Sequence, residues 1–267
     1  WPLPSMAPLA HTLALLAMAM ATTAVEVLPL DMAQTSFDDQ YLNCSRAMTA
    51  ALPALNRSDF QQNPRFAMVW GNATAEWQVR GSRVSPLSSP AQAIALMTYT
   101  MNGLYKEFNG AVRVAGRSRR EYREKFHFKA LHFLLTDAVE RLRGTQGQKC
   151  HDVFRGVRGV RFQAKPGDTV RFGQFASTSL SKITPLCFGA DTVFRVHTCH
   201  GADIQKFSFY PKEKEVLIPP FETFKVIDVT QVGKCPRIQL RSTGTHSNYN
   251  CEWLRGDVTE GTTWGGR

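Results

Sequence analysis

The chain has 267 residues, of which 43% are hydrophobic and 20% are charged. This length and composition are ordinary for a globular protein with a substantial core, built as one large domain or two small ones. They argue against a disordered or repetitive chain, since the sequence contains no low-complexity tract and no internal repeat. The net charge of +10 favours an anionic partner such as a polyphosphate ligand, a nucleic acid or an acidic surface, although a solvated basic surface carries the same charge.

The first 24 residues have the pattern of a secretory signal peptide, in which residues 1–5 lie upstream of a start at Met6. Leu13–Met20 is an apolar segment that is too short to span a bilayer as a helix. Thr22 and Ala24 are small residues at the spacing that a signal peptidase accepts, so we expect cleavage directly after position 24. The alternative is a buried N-terminal helix, because no lysine or arginine precedes the apolar segment.

Six cysteines follow this segment, and an even number behind a signal peptide indicates disulfide bonds in an oxidising compartment. Their spacing does not choose among the pairings, and without a CxxC motif a zinc site is not expected. Sequons predict N-glycosylation at Asn43, Asn56 and Asn72. The polar C-terminus, EGTTWGGR, lacks the apolar tail of a lipid-anchor signal, so we expect a soluble product without a membrane anchor. The cysteines are Cys44, Cys150, Cys187, Cys199, Cys235 and Cys251.

The apolar spacing from Asp38 to Arg143 is mainly helical. The loop-like segment RGSRVSPLSSP precedes PAQAIALMTYT, which predicts a helix that starts at Pro90. A further helix is predicted over LYKEFNGAVR. The clearest helix is KFHFKALHFLLTDAVERLR, from Lys125 to Arg143, in which leucine, alanine and valine follow one stripe up to a stop at Gly144.

After Cys150 the pattern changes to short strands rich in valine, isoleucine, phenylalanine and threonine, separated by turn residues. Helices followed by strands predict an α+β fold, with a helical N-terminal part packed on a mainly antiparallel core of two sheets. The sequence has no GxGxxG motif and no phosphate-binding loop, so neither nucleotide fingerprint applies. The predicted strands are DVFRGV, TVRFGQFAST, DTVFRVHT, IQKFSFY, KEVLIPP, FKVIDVT and RIQLRS.

Two segments in this second half carry candidate ligand-binding side chains. In DVFRGVRGVRF, Arg155 ends an apolar strand; its guanidinium suits phosphate or carboxylate, and Gly156 lets a ligand approach the backbone. In RFGQFASTSLS, Ser177 opens a hydroxyl cluster that suits a ribose or orients a catalytic carboxylate. The structural alternatives are a surface arginine at a strand end and a serine that caps a helix. Without a GxSxG motif, a serine nucleophile is not expected.

The third segment is FYPKEKEVLIPP. If it is a strand, its side chains alternate, so Glu213 and Glu215 share one face and Lys212 and Lys214 share the other. Two buried carboxylates in a cleft would repel each other, which raises the pKa of one of them. The alternative is a charged, solvated strand end.

The order Arg155, Ser177 and Glu213-x-Glu215 resembles the R-S-E triad and ExE motif of the arginine-specific ecto-ADP-ribosyltransferases. Other blocks extend the resemblance over residues 25–251, and secreted avian-type members look most similar. These blocks are SFDDQYLNC, LYKEFNGAVR, FHFKALHFLL, CFGADTVF and KEKEVLIPP.

The resemblance implies a mono-ADP-ribosyltransferase that breaks the nicotinamide–ribose bond of NAD and passes ADP-ribose to arginines of proteins or to small guanidines. Glu215 matches the carboxylate that stabilises the positive charge on the ribose, and Glu213 matches the residue that engages the acceptor guanidinium. Arg155 matches the arginine that holds NAD. Ser177 matches the serine that hydrogen-bonds NAD and orients the catalytic glutamate.

Further nucleotide contacts are implied by the same blocks. Gly156 accompanies the NAD-binding arginine, and Tyr99 and Gln174 lie in blocks that contact the nucleotide. Phe188 falls where an aromatic ring stacks on nicotinamide, with core packing as the alternative. The family pattern also joins Cys44 to Cys251 and Cys150 to Cys199, and it leaves Cys187 and Cys235 as a third bridge or as free thiols.

The sequence therefore predicts a secreted enzyme with a single catalytic domain over residues 25–267. We expect a monomer that uses NAD as a co-substrate and holds no permanent cofactor, no metal, no nucleic acid and no membrane anchor. One alternative is an NAD glycohydrolase, in which water is the acceptor at the same site. An alternative of another class is a basic secreted binding or antimicrobial protein without catalysis.

Overall fold

The computed structural model describes residues 25–101, 103–181 and 191–256. The predicted signal peptide, residues 1–24, lies outside these ranges. Among the helices of the described residues, none has both the length and the apolar character needed to cross a membrane.

Helices make up most of the first half of the described chain, after a short strand β1 (Glu26–Pro29). The predicted loop before α3 and the predicted start of this helix at Pro90 are confirmed. Ser89 and Gln92 form a capping box around that start, and proline occupies the first turn, where no backbone donor is needed. The helices are α1 (Ser45–Gln62), α2 (Pro64–Val79), α3 (Pro90–Thr100), α4 (Tyr105–Ala115), α5 (Arg119–Lys125) and α6 (Lys129–Thr145).

The helix predicted from Lys125 to Arg143 begins later than predicted, and it continues through the predicted stop at Gly144 to Thr145. Lys125 ends α5, and α6 begins at Lys129. Between them the chain leaves the helical conformation, and Phe126 and Phe128 bury their rings in the core. The burial of two aromatic rings outweighs the hydrogen bonds that a continuous helix would add.

The second half folds into a sheet of eight strands in the order β4-β9-β10-β6-β2-β5-β8-β7, while β1 and β3 form a separate pair. Neighbours in the large sheet are antiparallel, except that β6 and β10 run parallel. This arrangement confirms the predicted α+β class with a mainly antiparallel core. The strands are β2 (His151–Val157), β3 (Val160–Gln163), β4 (Thr169–Val170), β5 (Ala176–Ser179), β6 (Thr192–Thr198), β7 (Ala202–Asp203), β8 (Glu215–Ile218), β9 (Glu222–Val232) and β10 (Cys235–Thr245).

The predicted strand IQKFSFY is wrong. Residues 204–210 form turns, in which the amides of Phe207 and Ser208 donate to the carbonyl oxygen of Ile204. Ile204 and Phe207 both bury their side chains in the helical core, and a turn brings residues three apart to one side. A strand would have sent them to opposite faces.

The predicted strand TVRFGQFAST is broken between β4 and β5. Gly173 has a φ of +61°, and a Cβ at this position would lie 2.3 Å from the Cβ of Ala33. Only glycine fits this backbone and this close approach. Arg171, in the same break, is buried; it pairs with Asp38 and donates to the carbonyl oxygen of Met32. The break therefore anchors the sheet to the N-terminal segment.

Strand β8 lies between two hydrophobic cores. Leu217 belongs to an aromatic-rich core formed with the helices, whereas Val216 and Ile218 belong to a core enclosed by the sheet strands. Because both faces of β8 are buried, its position is fixed from two sides. Glu215, the first residue of the strand, is held at the junction of the helical layer and the sheet.

The two disulfide bonds implied by the resemblance are confirmed. Cys44 is bonded to Cys251, and Cys150 is bonded to Cys199. Cys235 is a free thiol in the structure. Cys187 lies outside the described residues, so the question of a third bridge stays open.

Candidate active site

The sheet order brings the three predicted site segments together, because β2, β5 and β8 are neighbours. Arg155 lies on β2, Ser177 on β5 and Glu215 at the start of β8. Arg155 Nη1 donates to the carbonyl oxygen of Ser177 at 2.6 Å. Ser179 lies directly opposite Glu215, so Ser177, two residues before it, is the diagonal neighbour on the same face.

Glu215 is a buried carboxyl group with few partners. It is 5% exposed, and its one hydrogen bond within 3.5 Å comes from the Ser208 hydroxyl at 3.4 Å, among the described residues. Burial raises its pKa to about 7; the Ser177 hydroxyl lowers this pKa, the charge of Glu213 raises it, and Ser208 and Arg155 lower it. Such a group changes its charge near neutral pH and retains acceptor capacity for a ligand.

Glu213 does not share a strand face with Glu215, so this prediction is wrong. Glu213 ends a short 3₁₀ turn, Pro211–Glu213, and Lys214 adopts the left-handed conformation with a φ of +49° before β8 begins. The Ser179 hydroxyl donates to the carbonyl oxygen of Glu213 at 2.6 Å and fixes the turn. The kinked backbone replaces the alternation expected of a strand.

The kink places the two carboxyl groups in different surroundings. Glu213 is partly exposed, and partial burial raises its pKa. Glu215 is buried at the base of the same turn. Lys212 and Lys214 are both exposed. One carboxylate is therefore accessible to a large partner, whereas the other is accessible only from within the site.

Arg155 is partly exposed beside these groups. Burial lowers the pKa of its guanidinium, whereas Tyr99, Tyr105 and Glu215 raise it. An arginine keeps its positive charge at neutral pH under any such shift. Its cation therefore stays available to an anionic ligand at the end of β2, where Gly156 follows it.

Tyr99 lies behind the site. It is 2% exposed, and its hydroxyl donates to the carbonyl oxygen of Phe175 at 3.0 Å. The same hydroxyl lies 3.3 Å from Ser177 Oγ, and Asn109 Nδ2 donates to it at 3.2 Å. Burial raises the pKa of Tyr99 to about 12, so the phenol is neutral at physiological pH. In this structure Tyr99 contacts Ser177 from within the core.

Two residues of this network, Asn109 and Ser208, were not singled out from the sequence. Asn109 lies on the buried face of α4 between Phe108 and Val112, and a polar residue on an apolar stripe is a signal that pattern reading can detect. Ser208 lies in the segment that was predicted as a strand. Its role depends on a turn that the apolar pattern does not reveal.

The remaining predicted contacts lie at different depths. Gln174 is partly exposed, and its Oε1 accepts a hydrogen bond from Arg113 Nη1. Thr178, between the two serines of β5, donates to the carbonyl oxygen of Val216 and so has a role in strand pairing. Phe188 lies outside the described residues.

One cluster elsewhere has the composition of a metal site. Cys150, His197 and Cys199 place potential ligand atoms within 4.8 Å of one another. However, the two sulfur atoms are bonded to each other, and a disulfide lacks the thiolates that bind zinc. The cluster is therefore a structural disulfide beside a histidine.

Residues 30–248 match the family model described as NAD:arginine ADP-ribosyltransferase. The mouse GPI-linked NAD(P)(+)–arginine ADP-ribosyltransferase 1 is 51% identical over 239 residues, which cover 85% of this chain and 74% of the relative. The chicken erythroblast NAD(P)(+)–arginine ADP-ribosyltransferase is 52% identical over 229 residues, which cover 85% and 76%.

A solved structure gives the same result at the level of the fold. The crystal structure of the eucaryotic mono-ADP-ribosyltransferase ART2.2 superimposes with a TM-score of 0.74 and 36% identity, covering 84% of this chain and 98% of that one. Variants of ART2.2 in complex with NADH and with NAD superimpose with TM-scores of 0.72.

Proposed function

Since this chain belongs to the NAD:arginine ADP-ribosyltransferase family, we propose that it transfers ADP-ribose from NAD to arginine side chains of proteins and releases nicotinamide. NAD is a co-substrate in this reaction, and no permanent cofactor is involved. The observation that carries the proposal is Glu215, a buried and under-bonded carboxyl group on the strand next to Ser177 and one strand further from Arg155.

Glu215 acts on the ribose. When the nicotinamide–ribose bond breaks, nicotinamide leaves as a neutral group with the bonding electrons, and the ribose gains oxocarbenium character. An ionised Glu215 stabilises this positive charge at short range, because the buried site replaces water with fixed groups. The positively charged nicotinamide of bound NAD favours the ionised carboxylate, which offsets the rise of its pKa by burial.

Glu213 acts on the acceptor. Its partly exposed carboxylate binds the guanidinium of a target arginine, since a planar fork of donors matches two carboxylate oxygens. The guanidinium nitrogen attacks the ribose and loses a proton, which Glu213 accepts and passes to water. The pKa of Glu213, raised by partial burial, improves it as a base.

Arg155 and Ser177 bind and orient NAD. The guanidinium of Arg155 neutralises the phosphates, and its bond to the Ser177 carbonyl oxygen links the anion-binding group to β5. The Ser177 hydroxyl, in turn, lies between Tyr99 and Glu215 and favours the ionised form of the catalytic carboxylate. Tyr99 is a positioning residue in this scheme.

The test separates transfer from hydrolysis. Purified protein is incubated with labelled NAD and the small guanidine agmatine, and ADP-ribosyl-agmatine and free ADP-ribose are quantified. We expect Glu213→Gln to lower transfer by about 10²-fold while hydrolysis stays within about threefold, because the change removes the acceptor's base and leaves the ribose site intact. Glu215→Gln should lower both products by about 10³-fold.

Glu26→Gln is the matched control, since this exposed carboxylate lies on β1, in the separate pair with β3 and not in the sheet that carries β2, β5 and β8. It should leave both products unchanged. Equal loss of transfer and hydrolysis in Glu213→Gln would contradict the acceptor role and favour the glycohydrolase alternative. If the wild-type protein left NAD intact, the binding-protein alternative would replace the proposal.

The same proposal covers the location of the enzyme. Two disulfide bonds, and relatives whose names include "GPI-linked" and "Ecto-", support a catalytic domain that faces the outside of the cell. Asn43 and Asn72 are exposed and suit glycosylation, whereas Asn56 is half-buried on α1. Mass spectrometry of the protein from the culture medium of expressing cells, before and after deglycosylation, tests secretion, the cleavage after position 24 and each sequon. Size-exclusion chromatography tests the expected monomer.

A further inference from the structure

Over strands β9, β10 and β6, the large sheet has an open face that carries cations in register. Across β9, β10 and β6, Lys225 lies opposite Arg241, and Arg241 lies opposite His197. The side chains of alternate residues on these strands, such as Val226, Leu240 and Val196, point into the sheet core. The row Lys225–Arg241–His197 therefore lies on the outer face. We call Lys225, Arg195, Arg237 and Arg241 the basic sheet face.

All four cations of the basic sheet face are exposed. Within the described residues, none of the four forms an ion pair, although arginines elsewhere pair with Glu76, Glu124 and Glu252. The directly opposite pair Lys225–Arg241 brings two like charges together, which destabilises a sheet. An anion that binds across the pair would remove this repulsion.

Two acidic residues share the open face. Asp152 lies 3.3 Å from His197 Nδ1, and Asp228 lies opposite Gln239 at the far side of the sheet. Asp152 lies on β2, one strand outside the basic sheet face, whereas Asp228 lies on β9 within it; the four cations outnumber these two carboxylates, so the face retains a net positive charge. This arrangement favours an anionic partner that lies flat on the sheet.

The same face continues toward the catalytic carboxylate. Opposite residues form one row across the sheet: Gln239, Arg195, Phe154, Ser179 and Glu215. Arg195 on β6 and Glu215 on β8 are three strand spacings apart, which is about 14 Å. An extended peptide covers this distance with about four residues.

We propose that the basic sheet face binds acidic side chains of the acceptor protein, so that the enzyme prefers arginines with acidic residues nearby. The inference rests on the proposed function, since it concerns the acceptor of that reaction. The acceptor arginine enters beside Glu213, and carboxylates about four residues away reach Arg195 and Arg241. Exposed charge pairs of this kind mainly set the encounter rate and the choice of partner.

The test compares acceptors that differ only in charge. Two peptides of equal length contain one arginine; one carries glutamates three to five positions away on both sides, and the other carries glutamines there. For the wild-type protein we expect kcat/KM to be about three- to tenfold higher for the acidic peptide at low salt. The preference should shrink as ionic strength rises, because the charges are exposed.

The double variant Arg195→Gln/Arg241→Gln should abolish the preference while agmatine transfer and the KM for NAD stay unchanged. Arg46→Gln/Arg57→Gln is the matched control, since it removes two exposed cations from α1 and should retain the preference. Equal kcat/KM for both peptides with the wild type, or equal losses on both peptides in the double variant, would overturn the inference. Absence of agmatine transfer by the wild type would instead overturn the proposed function, and the inference with it.

Discussion

Two glutamates begin neighbouring strands in the chain and are both buried, yet they differ in their partners. Glu222, at the start of β9, is 0% exposed and accepts hydrogen bonds from the Thr198 hydroxyl and from the amides of Cys199 and His200. Glu215, at the start of β8, is 5% exposed; the Ser208 hydroxyl donates to it at a long 3.4 Å and the Ser177 hydroxyl lies nearby, but no backbone amide within the described part of the chain donates to it. The same side chain thus occupies a saturated site and an unsaturated one.

The difference separates a structural carboxylate from the one that we propose is catalytic. Burial raises the pKa of both groups, but at Glu222 the donors of the chain itself compensate for the lost water. At Glu215 this compensation is incomplete. A cationic ligand that binds beside the buried carboxylate therefore stabilises its ionised form. Incomplete hydrogen bonding therefore distinguishes Glu215 from Glu222.

The largest effect should come from neutralising each glutamate in turn. At pH 8, Glu222→Gln should lower the free energy of unfolding by about 2–4 kcal/mol, because an amide group then faces backbone donors. Glu215→Gln should raise it by up to about 3 kcal/mol, because an ionised group leaves a site that holds its pKa near 7. Urea unfolding of the two variants and the wild type measures both.

The sign for Glu215 follows from proton linkage. Its folded-state pKa is raised from 4.5 to about 7, so its contribution to stability is complete below pH 4.5 and is lost as the pH rises to 7. The advantage of Glu215→Gln should therefore vanish at pH 4.5. If Glu215→Gln were less stable than the wild type at pH 8, the contrast between the two sites would be wrong.

The second prediction concerns the pH dependence of activity. The proposed mechanism needs ionised Glu215, so kcat/KM for NAD should be flat above pH 7 and fall about tenfold per unit below it. Initial rates of nicotinamide release between pH 5 and 9 test this. If Glu213→Gln keeps the same midpoint, the titrating group is Glu215 and not Glu213. A flat profile down to pH 5 would contradict this assignment.

The smallest effect should come from the network behind the site. Tyr99→Phe removes the hydroxyl beside Ser177, so kcat/KM for NAD should fall about three- to tenfold. The midpoint of the pH profile should also move downward, because the Ser177 hydroxyl, which donates to Tyr99 in the wild type, is then free to donate to Glu215 and lower its pKa. Tyr41→Phe, which removes a buried hydroxyl bonded to His132, is the control and should leave the midpoint in place. A midpoint shift in both variants would indicate a general structural effect.

The sequence predicted the parts of this molecule that depend on local pattern. Pro90 after a serine marked the start of α3, and the alternation of apolar residues marked most strands. Arg155 and Ser177 were found because each was placed at or just after the end of a predicted strand and because their order resembles a family motif; in the structure both lie within strands, β2 and β5. The two disulfide bonds were predicted only from that resemblance, because the cysteine spacing does not choose among the pairings.

The relation of Glu213 to Glu215 was beyond the pattern. The alternating charges predict a strand. The left-handed conformation of Lys214, however, depends on tertiary hydrogen bonds, such as the one from the Ser179 hydroxyl to the Glu213 carbonyl oxygen. Ser208 was missed for the same reason, since its segment is apolar enough for a strand and folds as turns. The pairing of β6 with β10 likewise joins distant segments that no local signal connects.

The bond between Cys44 and Cys251, with a sequence separation of 207, also has a mechanical consequence. When the two ends of the chain are pulled apart, the force passes through this disulfide bond. The helices, the sheet and the candidate active site between the two cysteines do not carry the force. A single proteolytic cut inside the loop likewise leaves both fragments joined. The fold is thus held together both when its ends are pulled apart and when the chain is cut once between the two cysteines.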